Sequence, residues 1–324
     1  MPEIFSNPTD RPRRRIARRR RWAAGLLALT LAGGLVACGD DESTPVNAAP
    51  ETDNASAPGT PATTEQRLDI VVAGGDHEYT FDTEATTLEA GPVVVTLTNN
   101  GAEEHMAQLL RLRDGVDLDQ FATEAPTDPT GQRALELAEA FGGPTAVGPG
   151  DSRSSVQVLE AGDYILICFV PAADGQPHAA KGMVRPITVT PAQAAPAAGG
   201  SGEADTTITL VDFGYAGPTE ADAGGRLEVV NGGEQVHELA LYRLNDGVTA
   251  SDFAAALAGP SGQPPGPPPV TPAGGVGGIK PGSTASLDLP DEPGRYALIC
   301  YYPDVAGDGR PHLAHGMVSE ITLN

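Results

Sequence analysis

Apolar residues along this chain gather in short β-branched and aromatic runs separated by Gly, Asn, Asp and Pro, a rhythm that predicts strands. In the first half the runs cover 68–72, 92–98, 156–159 and 164–169; in the second they cover 206–213, 227–230, 285–289 and 296–301. Two stretches follow helical spacing instead, 133–141 and 251–257, and Ser251 stands where an N-cap would. These short helical insertions are expected to cap one end of a sandwich. The segment 259–278 is so rich in Pro and Gly that it predicts an irregular loop. Residues 38–66 and 191–204 have almost no large apolar side chains and read as a disordered tether and a linker. The expected organisation is therefore two all-β sandwich domains in tandem, 67–190 and 205–324.

The rarest residue types make the repeat visible. Among only six His, four Met and three Cys in 324 residues, His105, Cys168 and Met183 recur as His237, Cys300 and Met317. The His-to-Cys separation is 63 residues in both halves, and a further histidine, His178 or His312, lies five positions before each Met. Two imidazoles, a thiolate and a thioether form the donor set of a blue-copper site, where soft sulfur and imidazole favour copper over metals that prefer oxygen. Duplication also copies residues with no function, and buried Cys and Met are often plain core.

Charge and targeting narrow the setting. Arg11 to Arg21 is strongly basic, 22–37 is apolar, and the stretch ends Leu35, Val36, Ala37, Cys38, Gly39. Basic residues before a short apolar run predict an export signal over 1–37, by the general or the twin-arginine route. The Leu-Val-Ala-Cys ending resembles the lipobox of bacterial lipoproteins. That resemblance implies cleavage before Cys38, a diacylglycerol on its sulfur, membrane lipid as a partner and an extracytoplasmic location. Without 1–37 the chain carries 12 basic and 41 acidic residues, a formal charge of −29. Nucleic acid is excluded as a partner, and a basic redox protein is the complementary one. With Cys38 acylated, one Cys remains per repeat. Exported proteins usually pair their cysteines. A Cys168 to Cys300 disulfide would have to bridge equivalent points of two domains; metal ligation gives each thiol a reason to stay unpaired.

The residues flanking these positions are more specific. Asn99, Asn100 and Gly101 precede His105, as Asn231, Gly232 and Gly233 precede His237; each Cys ends a G-x-Y-x-L-I-C strand, 162–168 and 294–300. Both halves resemble cupredoxins, the Greek-key β-sandwich family of plastocyanin and azurin. The resemblance implies copper, one or two per chain, with His105, Cys168, His178 and Met183 as ligands in the first domain and His237, Cys300, His312 and Met317 in the second. The chain departs from small electron-transfer cupredoxins in its longer return loops, nine residues from Cys168 to His178 and eleven from Cys300 to His312, which resemble those of copper nitrite reductases. Met106 and Glu238 stand where the family often has Asn, which leaves the hydrogen bonding of the thiolate open.

No His-x-His pair occurs, and only His77 and His315 remain after eight ligands are assigned. The sequence is therefore read as a non-enzyme that transfers electrons or handles copper. A metal-free cupredoxin-like scaffold, acting as a structural or interaction module, is the alternative.

Overall fold

The computed structural model describes residues 65–125, 128, 131–193, 203–257 and 269–324. The expected signal peptide, Cys38 and nearly all of the tether lie outside the described residues, as does 194–202 of the linker.

The first half comprises β1 (Gln66–Val72), β2 (Thr87–Glu89), β3 (Gly91–Asn99), β4 (Gln108–Leu112), α1 (Leu118–Glu124), α2 (Gln132–Leu137), β5 (Ala138–Ala140), β6 (Ser152–Leu159), β7 (Gly162–Ile167) and β8 (Val184–Thr190). The second half follows with β9 (Thr206–Val211), β10 (Gly214–Ala216), β11 (Glu220–Ala221), β12 (Arg226–Asn231), β13 (His237–Leu244), α3 (Ala250–Leu257), β14 (Val270–Ile279), β15 (Thr284–Asp288), β16 (Gly294–Ile299) and β17 (Val318–Leu323).

In each half two sheets close on an apolar core. Leu68, Ile70 and Val72 alternate inward from β1, Val93, Val95 and Leu97 from β3, and they meet Leu109, Leu166 and Ile187 from the sheet ordered β2-β8-β7-β4-β5. The second core is built alike, with Ile208, Leu210, Leu227 and Val229 against Leu241, Leu298 and Ile321. Period-two alternation dictates this arrangement, because successive side chains of a strand point to opposite faces. The fold is thus two all-β sandwiches in tandem.

The sandwiches share a sheet. β6 pairs antiparallel with β15, giving one seven-stranded sheet ordered β1-β3-β6-β15-β12-β9-β10. A second seam joins Phe141 to Ile279 and Pro144 to Val276, with Gly142 N–H donating to Gly278 O at 2.7 Å and Gly277 N–H to Gly143 O at 2.8 Å. The offset that carries His105 onto His237 also carries Pro144 onto Val276 and Ser155 onto Leu287, and the members of each of these pairs sit opposite one another. The junction is therefore a local twofold contact in which both halves present the same patch, as in an isologous dimer.

Several sequence-based expectations change. The insertion helices do not cap an end. α1 and α2 cover the outer face of the first domain's second sheet, where Phe121, Ala134 and Leu137 pack on Leu110, Ile165 and Ile167; α3 does the same on β16 and β17 through Phe253 and Ala254. This explains why the last four residues of β7 and β16 are all buried rather than alternating. The helix expected over 133–141 stops at Leu137, and Ala138–Ala140 pairs with β4 instead. α1 has an Asp117 cap accepting from Gln120 N–H at 2.8 Å and was not anticipated. Ser251 lies inside α3. Thr249 caps it, its hydroxyl accepting from Asp252 N–H at 3.1 Å while its backbone N–H donates to the Asp252 carboxylate at 3.3 Å, a reciprocal capping box. Finally, 270–279 is not a loop but the strand β14, paired with β13. Its glycines admit neighbours too close for a side chain, the Leu239 backbone at Gly275 and the Tyr302 ring at Gly278.

Gly275 shows this directly, with φ at +136° and a Cβ that would strike the Leu239 carbonyl oxygen; Gly143, its repeat counterpart, stands in the same relation to Ala107. Gly275→Ala is expected to destabilise the protein by about 2–4 kcal/mol, measured as a fall in the urea midpoint; an unchanged midpoint would show that β14 yields freely.

Candidate metal centres

Local structure delivers each site side chain. At the end of β3, Asn99 turns its amide inward, where Nδ2 donates to Glu103 O at 2.8 Å and Val147 O at 2.9 Å while Oδ1 accepts from Gly101 N–H at 2.8 Å. Asn231 repeats the pattern with Gln235 O, Ile279 O and Gly233 N–H at 2.8, 2.7 and 3.0 Å. A fully buried amide with all these partners pins the loop that presents His105 or His237. The thiol comes from the end of β7 or β16. The return loops are closed by the bridges Pro171 to Pro177 and Pro303 to Pro311, after which His178 N–H donates to Val170 O at 2.9 Å and His312 N–H to Tyr302 O at 2.8 Å. The two extra residues of the second loop bulge out before Asp308, so both histidines reach the same register.

In the first domain, His105, Cys168 and His178 converge with no exposed surface. Their facing atoms stand 3.1 Å apart between the two Nδ1, 3.4 Å from His178 Nδ1 to Sγ and 4.0 Å from His105 Nδ1 to Sγ. In the second domain, His237 and His312 Nδ1 are 3.0 Å apart and Cys300 Sγ lies 3.4 Å from His312 Nδ1. Met183 and Met317 are fully buried in the same clusters as the two cysteines, and their N–H groups donate to His178 O and His312 O at 3.0 and 3.1 Å. Both cysteines are free, which removes the disulfide alternative. First-row metals hold nitrogen at about 2.0 Å and sulfur at about 2.3 Å, so donors sharing one ion stand about 3.3–4 Å apart. These spacings fit.

Carboxylates set the tautomers. Nε2 of His105 faces Glu78 at 3.1 Å, that of His178 faces Glu103 at 2.9 Å, and that of His237 faces Asp212 at 2.5 Å. A proton held on Nε2 leaves the Nδ1 lone pair aimed at the thiol, the usual second-sphere arrangement of metal-bound histidine. Burial works to raise the Glu78 and Asp212 carboxyls, but hydrogen bonds from backbone N–H groups and from the facing histidines outweigh it and hold both below the usual carboxylate range. Burial lowers His105 and His237, and burial with the neighbouring His237 lowers His312 to about 4, so these rings are neutral at pH 7. Burial also pushes the Cys168 thiol up to about 12 and Cys300 well above the ordinary thiol value. A cation must therefore displace the thiol proton on binding.

The fate of the thiolate bond is also visible. Met106 N–H and Glu238 N–H donate to Cys168 Sγ and Cys300 Sγ, each at 3.5 Å, so the backbone supplies this contact whatever side chain follows the histidine. Sequence reasoning missed Glu78, Glu103 and Asp212, whose spacing from the histidines follows no motif. His77 is exposed in the turn after β1, while His315 sits at the rim of the second set, stacked on Phe213 at 5.1 Å.

No protein-family model and no curated protein matches the chain. Among solved structures, an auracyanin from Roseiflexus castenholzii is 24% identical over 39% of this chain and 98% of its own, with a TM-score of 0.28. A copper nitrite reductase and a blue copper oxidase, both from Nitrosomonas europaea, each align over 80% of this chain and over 93% and 86% of their own, at 17% and 15% identity and a TM-score of 0.22. The assignment itself rests on the strand order and donor geometry described above. Both halves are cupredoxin-like domains. The two His-Cys-His sets fit type 1 copper, one or two per chain.

The expectation of a non-enzyme is corrected by the same comparison, since the structures aligned over both cupredoxin domains include copper enzymes. Counting histidines in one chain was the weak step, because a further copper can draw its ligands from a second copy.

Asp212→Ala is expected to weaken metal binding at the second site by about 10–100-fold while leaving the first unchanged, read by competition with a chelator. Equal loss at both sites, or none, would refute the role given to this carboxylate.

Proposed function

We propose that this chain is a copper protein of the bacterial cell envelope, anchored to the membrane through an acylated Cys38, that carries electrons or copper between extracytoplasmic partners. The observation that carries this reading is the pair of buried donor sets, His105, Cys168, His178 with Met183 and His237, Cys300, His312 with Met317. Copper bound there supplies a one-electron couple. The protein's own groups do the rest. Asn99 and Asn231 hold the first histidine, the carboxylates hold the tautomers, and the sandwich core excludes water from the thiol. Donors already placed before metal arrives need little rearrangement between oxidation states. The excess of acidic residues would steer a basic redox partner. Support for export and acylation comes from the basic, apolar and Leu-Val-Ala-Cys segments.

Titration of the full chain with Cu(II) is expected to give an intense thiolate-to-copper band in the visible spectrum, partly lost in Cys168→Ser and abolished when Cys300→Ser is added. A folded chain that stays colourless would refute the copper reading. Cys38→Ser is expected to move the protein from the membrane fraction to the soluble one; continued membrane association would refute anchoring through this residue.

A further inference from the structure

The rim of the second site differs from that of the first at two matched positions. Asp304 replaces Ala172, and the backbone shows that they correspond: Ala172 N–H donates to Gln176 O at 2.8 Å and Asp304 N–H to Arg310 O at 2.9 Å. His315 replaces Lys181, each at the end of the short 3-10 turn that carries the second histidine. In the first domain Lys181 simply pairs with Asp174 at 2.6 Å and lies over the Tyr79 ring. In the second, the matched Asp308 faces an imidazole, with a second carboxylate beside it.

We propose that Asp304, Asp308 and His315 form a third metal site, for a divalent first-row ion such as Zn(II), on the rim of the second His-Cys-His set. His315 Nε2 lies 2.9 Å from Asp308 Oδ1 and 3.7 Å from Asp304 Oδ2. Donors about 2.0–2.1 Å from one ion at the tetrahedral angle stand about 3.3 Å apart, midway between these distances. One imidazole and two carboxylates suit such ions. Each carboxylate is held by its outer oxygen. Gln235 Nε2 donates to Asp304 Oδ1 at 2.9 Å, and Arg310 Nε donates to Asp308 Oδ2 at 2.6 Å. Arg310 N–H also reaches Asp308 Oδ1, at 3.0 Å. Asp304 is only 7% exposed, an expensive place for a charge that has a single donor from Gln235 and a distant imidazole.

A second observation points to the same place. His312 is wholly buried, and its Nε2 has no hydrogen-bond partner among the described residues, whereas the matching His178 Nε2 meets Glu103. With Nδ1 turned to Cys300, the Nε2 edge faces away from the thiol toward the rim that carries Asp304 and His315. Side chains three apart on a 3-10 turn eclipse, and the Phe213 ring touches both His312 and His315, at 4.6 and 5.1 Å. Three protein donors leave one tetrahedral position for water or hydroxide, and the hydroxide oxygen is an acceptor on the side to which this N–H is turned.

The test compares the full chain with a double variant, Asp304→Ala with His315→Lys, which installs the residues the first domain already folds with. Ions taken by the His-Cys-His sets contribute equally to both proteins, so the comparison does not depend on whether those sets hold copper. After equilibrium dialysis against Zn(II), the parent is expected to retain one more ion per chain. Equal retention overturns the proposal. So does a double variant that also loses its copper-thiolate band, since the cluster would then support the second His-Cys-His set. Asp304→Asn, which keeps the Gln235 contact, is expected to weaken the extra ion by at least about tenfold; unchanged affinity overturns the proposal as well.

Discussion

A neutral imidazole can be buried without penalty only when both ring nitrogens have something to do, and for three of the four site histidines a carboxylate behind the ring meets that condition. Glu78, Glu103 and Asp212 each accept a hydrogen bond from the Nε2–H of a site histidine and so turn its Nδ1 toward a thiol. Glu78 is itself held by the N–H groups of Ala102 and Glu103, at 2.8 and 2.9 Å, which ties the carboxylate to the very loop that presents His105. The donor geometry is therefore fixed by hydrogen bonds outside it. Without them, two imidazoles about 3 Å apart beside a neutral thiol would have no reason to share a tautomer.

The twofold junction gives the two centres a common setting. Glu104, one residue before His105, accepts from Tyr242 Oη of the second domain at 2.8 Å, and the Tyr242 ring packs edge-on at 6.2 Å against Tyr301, which follows Cys300. Burial pushes the Glu104 carboxyl up to about 7 and Glu238, beside His237, up to about 8. Both carboxyl groups are thus partly neutral at pH 7, which limits the repulsion a thiolate would otherwise feel in a dry interior. Lys280 adds an ion pair across the junction to Glu160 at 2.7 Å and lies over Phe141 at 4.3 Å.

Symmetric backbones have nevertheless acquired unlike rims. Gln235 stands where Glu103 does in the first domain, and it spends its amide on Asp304 rather than on a histidine. The two centres therefore share inner donors and differ in the groups that surround them, which is where metal affinity and potential are tuned.

The two His-Cys-His clusters were legible in the sequence, because scarce residue types recur there in register and because alternation forces strands. His105, Cys168, His178 and their counterparts could be placed together from the spacing and the resemblance alone. The caps and the Gly-rich strand were misread for local reasons. Ser251 and Thr249 are both plausible N-caps, and only the Asp252 partner separates them; glycines at 274–278 look like a loop until β13 is seen paired with them and the Leu239 backbone lying against Gly275. The amino-acid order by itself determined two β-sandwiches and which His and Cys side chains come together. Tertiary structure decided which carboxylates stand behind the histidines, where the helices lie and how the halves join, because those contacts link residues whose separation along the chain obeys no period.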